Sequence, residues 1–316
     1  MARDQVNALG SARASYTARV GPLAPLISVV IPAFNAEPFV KDAIESVLRQ
    51  SYSPIECIVV DDGSSDGTGC AVAQYGRRVR LISQRNQGVA RARNRGAAEG
   101  RGELLAFLDA DDVWLPERLA LQARELEGSA AEAVLCAATE VDRYLRPIVE
   151  RRVAPRPSPE TMLLQQGSLV SCSSNMLIKH SSFDEVGGFH DALSVSADWD
   201  FLLRLLETGP LEYVDEPLVL YRRHGGNMST DISMMARDMS IAYREAFARQ
   251  PDLAPIRRQA YARLHWMLAG SSYDTRQWSA SARHIGKALF YRPSLAIKLA
   301  QRSIRRWRSA GGRVAG

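Results

Sequence analysis

The sequence predicts an α/β fold, a mixed or parallel sheet sandwiched by helices, followed by an α-helical C-terminal extension. Two observations predict the sheet. Apolar runs of strand length alternate four times with helix-periodic segments between residues 26 and 108. The strands are apolar throughout rather than alternating, as in parallel sheets covered on both faces. A third observation predicts the extension: past Asp231 the apolar residues recur only at three- and four-residue steps.

The elements follow in order. "LISVVIPAF" (Leu26 to Phe34) is a β-branched apolar run, a strand by composition and length. "AEPFVKDAIESVLRQ" has apolar residues at Phe39, Val40, Ala43, Ile44, Val47 and Leu48, which is helical spacing, with Pro38 suited to a first turn. "IECIVVDDGSSDGT" is a second buried strand ending in acid and glycine. "GCAVAQYG" predicts a helix, "VRLISQ" a third strand, "GVARARNRGAAEG" a helix stopped by Gly100, and "LLAFLD" the fourth strand. Three strands therefore end in polar signatures, "PAFN", "DDGSSD" and "DADD". Ligands of such sheets bind beyond the carboxyl ends of the strands, so the charge collects at a site.

Composition narrows the class. The chain has 316 residues, 46% hydrophobic and 24% charged, with a net charge of +5, an ordinary globular balance. No stretch of apolar residues is long enough for a transmembrane helix, and the first 24 residues read as a loosely ordered lead-in without a signal-peptide core. Cys57, Cys70, Cys136 and Cys172 are scattered without a CxxC pair, the usage of a reducing, cytoplasmic compartment. From Arg276 onward the chain carries ten Lys and Arg residues and no Asp or Glu. Such an end favours anionic surfaces.

The acids at the strand ends call for a partner. Asp66, Asp112 and Asp200 suit helix capping, but one helix start needs one cap, and Asp109 with Asp111 exceeds it. Mg2+ or Mn2+ takes oxygen ligands and is typically held by one or two carboxylates plus substrate phosphates. There is no GxxxxGK[ST] and no GxGxxG after the first strand, so neither a P-loop nor a dinucleotide fold is expected. Acids dominate the cleft, which argues against a nucleic-acid binder.

Four segments in this order, "VVIPAFNAEPFVKDAIESVLRQSY", "IVVDDGSSDGT", "NQGVARARNRGAAEGRGELLAFLDADDVW" and "SADWDFLLRLLETG", resemble family 2 glycosyltransferases of the GT-A fold. The resemblance implies an inverting transferase acting on a nucleotide-diphosphate sugar (UDP-, GDP- or dTDP-linked) with a divalent metal. Its acceptor would be a carbohydrate or lipid-linked hydroxyl in polysaccharide or cell-envelope synthesis. It implies that Pro32, Ala33, Phe34, Asn35 and Glu37 line the nucleoside pocket. Asp62 would bond the base with Asp61 beside it, and Arg91 or Arg93 would lie near base or phosphates. Asp109 would face the ribose with Ala110 next to it, Asp111 would bind the metal, and Asp112 would share that work. Asp198 matches the general base, although Ala197 stands where many relatives have Glu. In "EPLVLYRRHGGNMS", His224 would complete the metal shell. In "FDEVGGFHDAL", the acceptor-side segment, Gly188 would allow close approach and Phe189 would stack on a sugar, or else serve as a core residue; Trp199 belongs to the same side.

The residues alone leave two alternatives, a nucleotidyltransferase and an inactive nucleotide-sugar-binding scaffold. The first usually needs a basic phosphate loop after strand one, where this chain has no basic residue until Lys41. The expected organisation is a lead-in (1–24), a catalytic domain (25–230) and a helical extension (231–316). "AYARLHWMLAGSSYDTRQWSASARHIGKALFYRPS" loosely resembles a tetratricopeptide hairpin. The final basic segment, with Leu295, Ile297, Leu299, Ile304 and Trp307, is patterned as an amphipathic helix for the inner membrane face or for docking on its own protein.

Overall fold

The computed structural model describes residues 24–152, 157–165 and 173–294. The lead-in, Cys172 and the basic amphipathic segment from Leu295 lie outside the described residues, as does part of the Pro-rich "RRVAPRPSPETM". The chain divides into two compact units: in described residues, 24–159 with 173–229, and 160–165 with 230–294.

The first unit opens with the alternation that the sequence predicts. Strand β1 (Ile27–Ala33) leads to helix α1 (Val40–Leu48), β2 (Ile55–Asp61), α2 (Thr68–Ala73), β3 (Arg80–Ser83), α3 (Val89–Glu99) and β4 (Leu104–Phe107). Every residue of β1 and β4 is buried, which is why both read as uninterrupted apolar runs. These four strands pair in parallel in the order β3-β2-β1-β4. The order reverses between β2 and β4 on either side of β1, so the crevice of a doubly wound sheet falls at the carboxyl ends of β1 and β4. Gly96 lets α3 press close on β1: a Cβ there would lie 2.2 Å from a Val30 methyl.

The rest of the unit is mixed. It comprises β5 (Val113–Trp114), α4 (Arg118–Glu127), β6 (Ala133–Val141) and β7 (Pro147–Arg151). After the short helix α5 (Pro159–Leu163), most of which belongs to the second unit, come β8 (Met176–Lys179), α6 (His180–Val186), α7 (Ala197–Leu205) and β9 (Leu211–Arg222). The sheet continues β4-β8-β6-β9-β5, with β7 beside β6. Two antiparallel registers matter for the site. Ala106 pairs with Leu177 across β4 and β8, so the residues preceding Met176 lie beside those following Phe107. Val113 pairs with Leu220 across β5 and β9, so the chain after Leu220 meets the chain before Val113.

In the second unit, α8 (Ile232–Arg249) is capped by Asp231, which accepts the Met234 N–H at 2.9 Å. Helices α9 (Arg257–Asp274) and α10 (Trp278–Tyr291) form the hairpin. Ser281 Oγ donates to the Ala269 carbonyl at 2.9 Å, and Nδ1 of His265 lies 3.2 Å from Nδ1 of His284. Tyr243 is buried and donates to the Leu163 carbonyl at 2.7 Å. No helix among the described residues is long and apolar enough to cross a membrane.

Candidate active site

Two loops at the ends of β1 and β2 are stitched together by side chains that stop the strands. Asn35 sits at φ +48, a left-handed conformation that Asn tolerates. Its N–H donates to Ser64 Oγ at 2.9 Å, and its carbonyl oxygen accepts the Ser65 N–H at 2.8 Å. The Ala36 N–H reaches Thr68 Oγ1 at 2.8 Å, and Glu37 accepts the Gly67 N–H at 3.0 Å. Asp66 accepts from the N–H groups of Thr68 and Glu37, so it caps and cross-links together. Pro32 and Ala33 are buried beneath, whereas Phe34, Asn35 and Glu37 are exposed on the rim.

Asp61 accepts the Ser64 N–H at 2.9 Å. Asp62 accepts from Gln84 Nε2 (2.7 Å) and from the N–H groups of Gln87 (2.9 Å) and Gly88 (2.8 Å). Asp62 is 3% exposed and fixes the entry to α3. Gly63, at φ +80, is required there because a Cβ would lie 2.8 Å from the Asn86 nitrogen.

Helix α3 sends Arg91 and Arg93 in different directions. Residues two apart on a helix point to opposite sides. Arg91 is half exposed and pairs with Asp191 at 3.1 Å; it is not brought to the acids. Arg93 is buried, bonding Asp109 Oδ1 at 2.5 Å and Ser173 Oγ at 2.9 Å. Burial works against the Arg93 charge, yet Asp109, Asp198 and Asp111 together hold its pKa above the ordinary value. One guanidinium thus faces the first two acids of "DADD" and the first acid of "SADWD".

The "DADD" acids then part company. Ala110 is buried between Asp109 and Asp111. Asp111 Oδ2 lies 2.9 Å from His224 Nε2 and 3.2 Å from Asn227 Nδ2. The Gly226 N–H points at His224 Nδ1 at 3.1 Å; a metal on Nε2 requires the tautomer with the proton on Nδ1, which gives this contact up. Asp112 is fully buried and accepts the Arg222 N–H at 2.9 Å. Burial, then the charges of Asp111 and Asp109, push its carboxyl well above the usual range. In this structure Asp112 anchors the loop to β9.

Asp198, at the start of α7, accepts the Trp199 N–H at 2.7 Å. Burial raises its pKa above the ordinary carboxylate value, Arg93 pulls it back and Asp109 adds to the rise. Trp199 is partly buried beside it. Asp200 is not a cap; it is buried and holds Arg204 Nε at 2.8 Å.

The acceptor-side expectation for Gly188 and Phe189 is corrected. Phe189 is 2% exposed, with ring centroids 4.8, 5.0 and 5.7 Å from those of Phe201, Phe107 and Phe183. It cannot stack on a sugar. Gly188 lies at φ +69, where a Cβ would meet Asn94 Oδ1 at 2.8 Å, and its carbonyl accepts from Arg204. The close approach is to α3.

Four residues were missed by the sequence reading. Ser173 and Ser174 reach the "DADD" loop through the β4/β8 register: Ser174 Oγ accepts the Asp109 N–H at 3.1 Å. The polar run "SCSSN" before an apolar strand was the available signal. Arg222 is buried and donates to the Asp111 carbonyl (2.7 Å) and to Asp42 (2.9 Å), with its guanidinium 4.9 Å from the Phe39 ring. Asn227 ties Asp111 to the His224 N–H, which it accepts at 2.6 Å.

An O/N donor pair such as Asp111 and His224, already in contact, fits Mn2+ or Mg2+ with the remaining positions left to phosphate oxygens and water. Among the described residues no group of three or more His, Cys, Asp or Glu could hold a metal ion.

The doubly wound sheet, its antiparallel continuation and the acids at its strand ends define a GT-A-type fold with helices on both faces. The profile described as Glycosyl transferase family 2 matches residues 28–187, and the chain belongs to that family. An uncharacterised glycosyltransferase of Rickettsia felis is 30% identical over 231 residues, 69% of this chain and 38% of its own length. Chondroitin synthase of Escherichia coli is 30% identical over 211 residues, 65% of this chain and 30% of its own. The match thus spans well under half the length of these two relatives. Among solved structures, the mannosyltransferase PcManGT of Pyrobaculum calidifontis, in complex with GDP-Man and Mn2+, aligns with a TM-score of 0.59 at 20% identity, covering 91% of this chain and 84% of that one. Residues 1–349 of S. aureus TarS, in complex with UDP-GlcNAc, align with a TM-score of 0.58 at 16% identity, covering 86% and 92%.

Proposed function

We propose that this chain is an inverting glycosyltransferase that moves a sugar from a nucleotide-diphosphate sugar to an acceptor hydroxyl on a glycan, polysaccharide or lipid-linked carrier. Residues 25–230 are the catalytic domain, and 231–316 an extension that is helical in its described part. The observation that carries the reading is the convergence of Asp111 with His224 at 2.9 Å beside the Asp109–Arg93–Asp198 cluster. PcManGT with GDP-Man and Mn2+ and TarS with UDP-GlcNAc support a nucleotide-sugar donor.

Asp198 takes the proton from the acceptor hydroxyl as its oxygen attacks the anomeric carbon. The anomeric bond to the diphosphate breaks on the opposite side, and the nucleoside diphosphate departs with the electron pair. Arg93 offsets part of the rise that burial and Asp109 impose on the Asp198 pKa. Asp111 and His224 would hold Mn2+ or Mg2+, which when bound would supply Lewis-acid neutralisation of the diphosphate. The loops joined by Asn35, Asp61 and Glu37 carry the nucleoside, with Phe34 exposed above them. Cys57, Cys70 and Cys136 are free thiols, which supports a cytoplasmic location.

The test is a panel of UDP-, GDP- and dTDP-sugars assayed for hydrolysis and transfer with and without Mn2+. Turnover of one class, dependent on the metal and inverting by NMR, is expected. No turnover and no thermal shift with any donor would contradict the reading.

A further inference from the structure

Helix α10 is built with two different faces. Its inner face, Ser281, His284 and Ala288, is buried. Its outer side carries Trp278, Ala282, Gly286 and Phe290 at four-residue steps, a row that winds about 120° round the helix. Trp278 is 56% exposed and Phe290 74%. Tyr273, at the end of α9 and 60% exposed, packs edge-on against Trp278 with ring centroids 4.9 Å apart. Arg283 and Lys287 flank the line and are also exposed. Large aromatics left in water along one face mark an interaction surface rather than a packing residue.

From these residues we infer that the outer face of α10 docks on an anionic lipid bilayer. Charge decides the occupant. No Asp or Glu occurs from Thr275 to the end of the sequence, while Arg276, Arg283, Lys287 and Arg292 surround the aromatic line. The chain's own C-terminal segment is no charge complement, because it carries Lys298, Arg302, Arg305, Arg306, Arg308 and Arg313. A second copy would present the same positive charge. The aromatics then distinguish a bilayer from a nucleic acid. Between Trp278 and Phe290 lie only Ala282 and Gly286, a floor with no side-chain donor or acceptor for a base edge. Trp and Phe above a row of basic groups fit the boundary between headgroups and acyl chains, where amphipathic rings settle and Lys and Arg meet anionic lipid. The inference rests on α10 and the residues at its two ends and stands apart from the sugar-transfer reading.

The experiment is co-sedimentation of the full chain with phosphatidylcholine vesicles, with and without phosphatidylglycerol, at low and high salt. Binding to the anionic vesicles is expected at low salt, weakened about tenfold or more on neutral vesicles or in high salt. Trp278→Ser with Phe290→Ser should cut the partition by about tenfold or more, and Arg283→Gln with Lys287→Gln should do likewise on the anionic vesicles alone. These side chains are exposed, so unchanged circular dichroism is expected in both variants. Absence of vesicle binding, binding unaltered by the aromatic pair, or preferential retention of a single-stranded oligonucleotide over vesicles would each overturn the inference.

Discussion

The rim formed by the ends of β1, β2 and β4 and the segment from Gly187 to Asp200 look alike in sequence: each sets glycine, acid and an aromatic side by side. They fold to opposite ends. At the rim the sheet simply stops, so Asn35, Asp109 and Asp111 stay where the strands end, and their side chains are turned to loop N–H groups, Arg93 and His224. In the second segment the turn lies over α6 and α7, and the apolar cluster of Phe107, Phe183 and Phe201 draws Phe189 inward. A polar signature at a parallel strand end therefore reports a site, whereas an aromatic in a short turn reports burial as readily as recognition.

That contrast can be broken by substitution. The largest effect is expected from Asp198→Asn, which lowers turnover by about 10²–10⁴-fold while donor binding, read by thermal shift, persists; turnover near the wild-type rate would remove Asp198 from the chemistry. Phe189→Ala should act on the fold instead, costing about 3–5 kcal/mol in denaturant unfolding. The KM for acceptor in the folded fraction should stay unchanged. A raised KM with intact stability would restore the stacking role.

The helical unit extends the contrast to a buried pair with no rim. Burial, then the His284 and Lys287 charges, lowers the His265 pKa to about 4, and burial likewise lowers that of His284. Tyr291 stacks on the same ring. The folded chain binds this proton less tightly than the unfolded chain does. Stability is therefore full above an ordinary His pKa of about 6.5 and drains as pH falls toward about 4, by roughly 2–3 kcal/mol. Denaturant unfolding across that range should show the loss, and His265→Gln should flatten it; an unchanged profile in the variant would remove His265 as the cause. The smallest effect is expected from Arg91→Ala: its exposed pair with Asp191 should be worth under about 1 kcal/mol, with turnover retained.

Much of this was legible in the chain itself. Strands β1 and β4 are buried on both faces, so their apolar runs could hardly be read otherwise, and the helical periodicity of α10 was clear. What local spacing could not carry is the register of distant strands. Arg222 and Asn227 reach Asp111 because β5 runs antiparallel to β9, and Ser173 and Ser174 reach Asp109 because β8 runs antiparallel to β4. The fates of Asp111 and Asp112 were equally hidden. On approach to an extended strand, successive side chains point to opposite faces, so one carboxylate meets His224 and its neighbour sinks beneath Arg222.

Titration calorimetry of a matched donor sugar against the full chain, with and without Mn2+ and repeated on Asp111→Asn, probes the shared rim most directly. The account predicts donor heat that grows with the metal, metal heat that grows with the donor, and loss of that coupling in the variant. Equal donor heats in all of these titrations would contradict it.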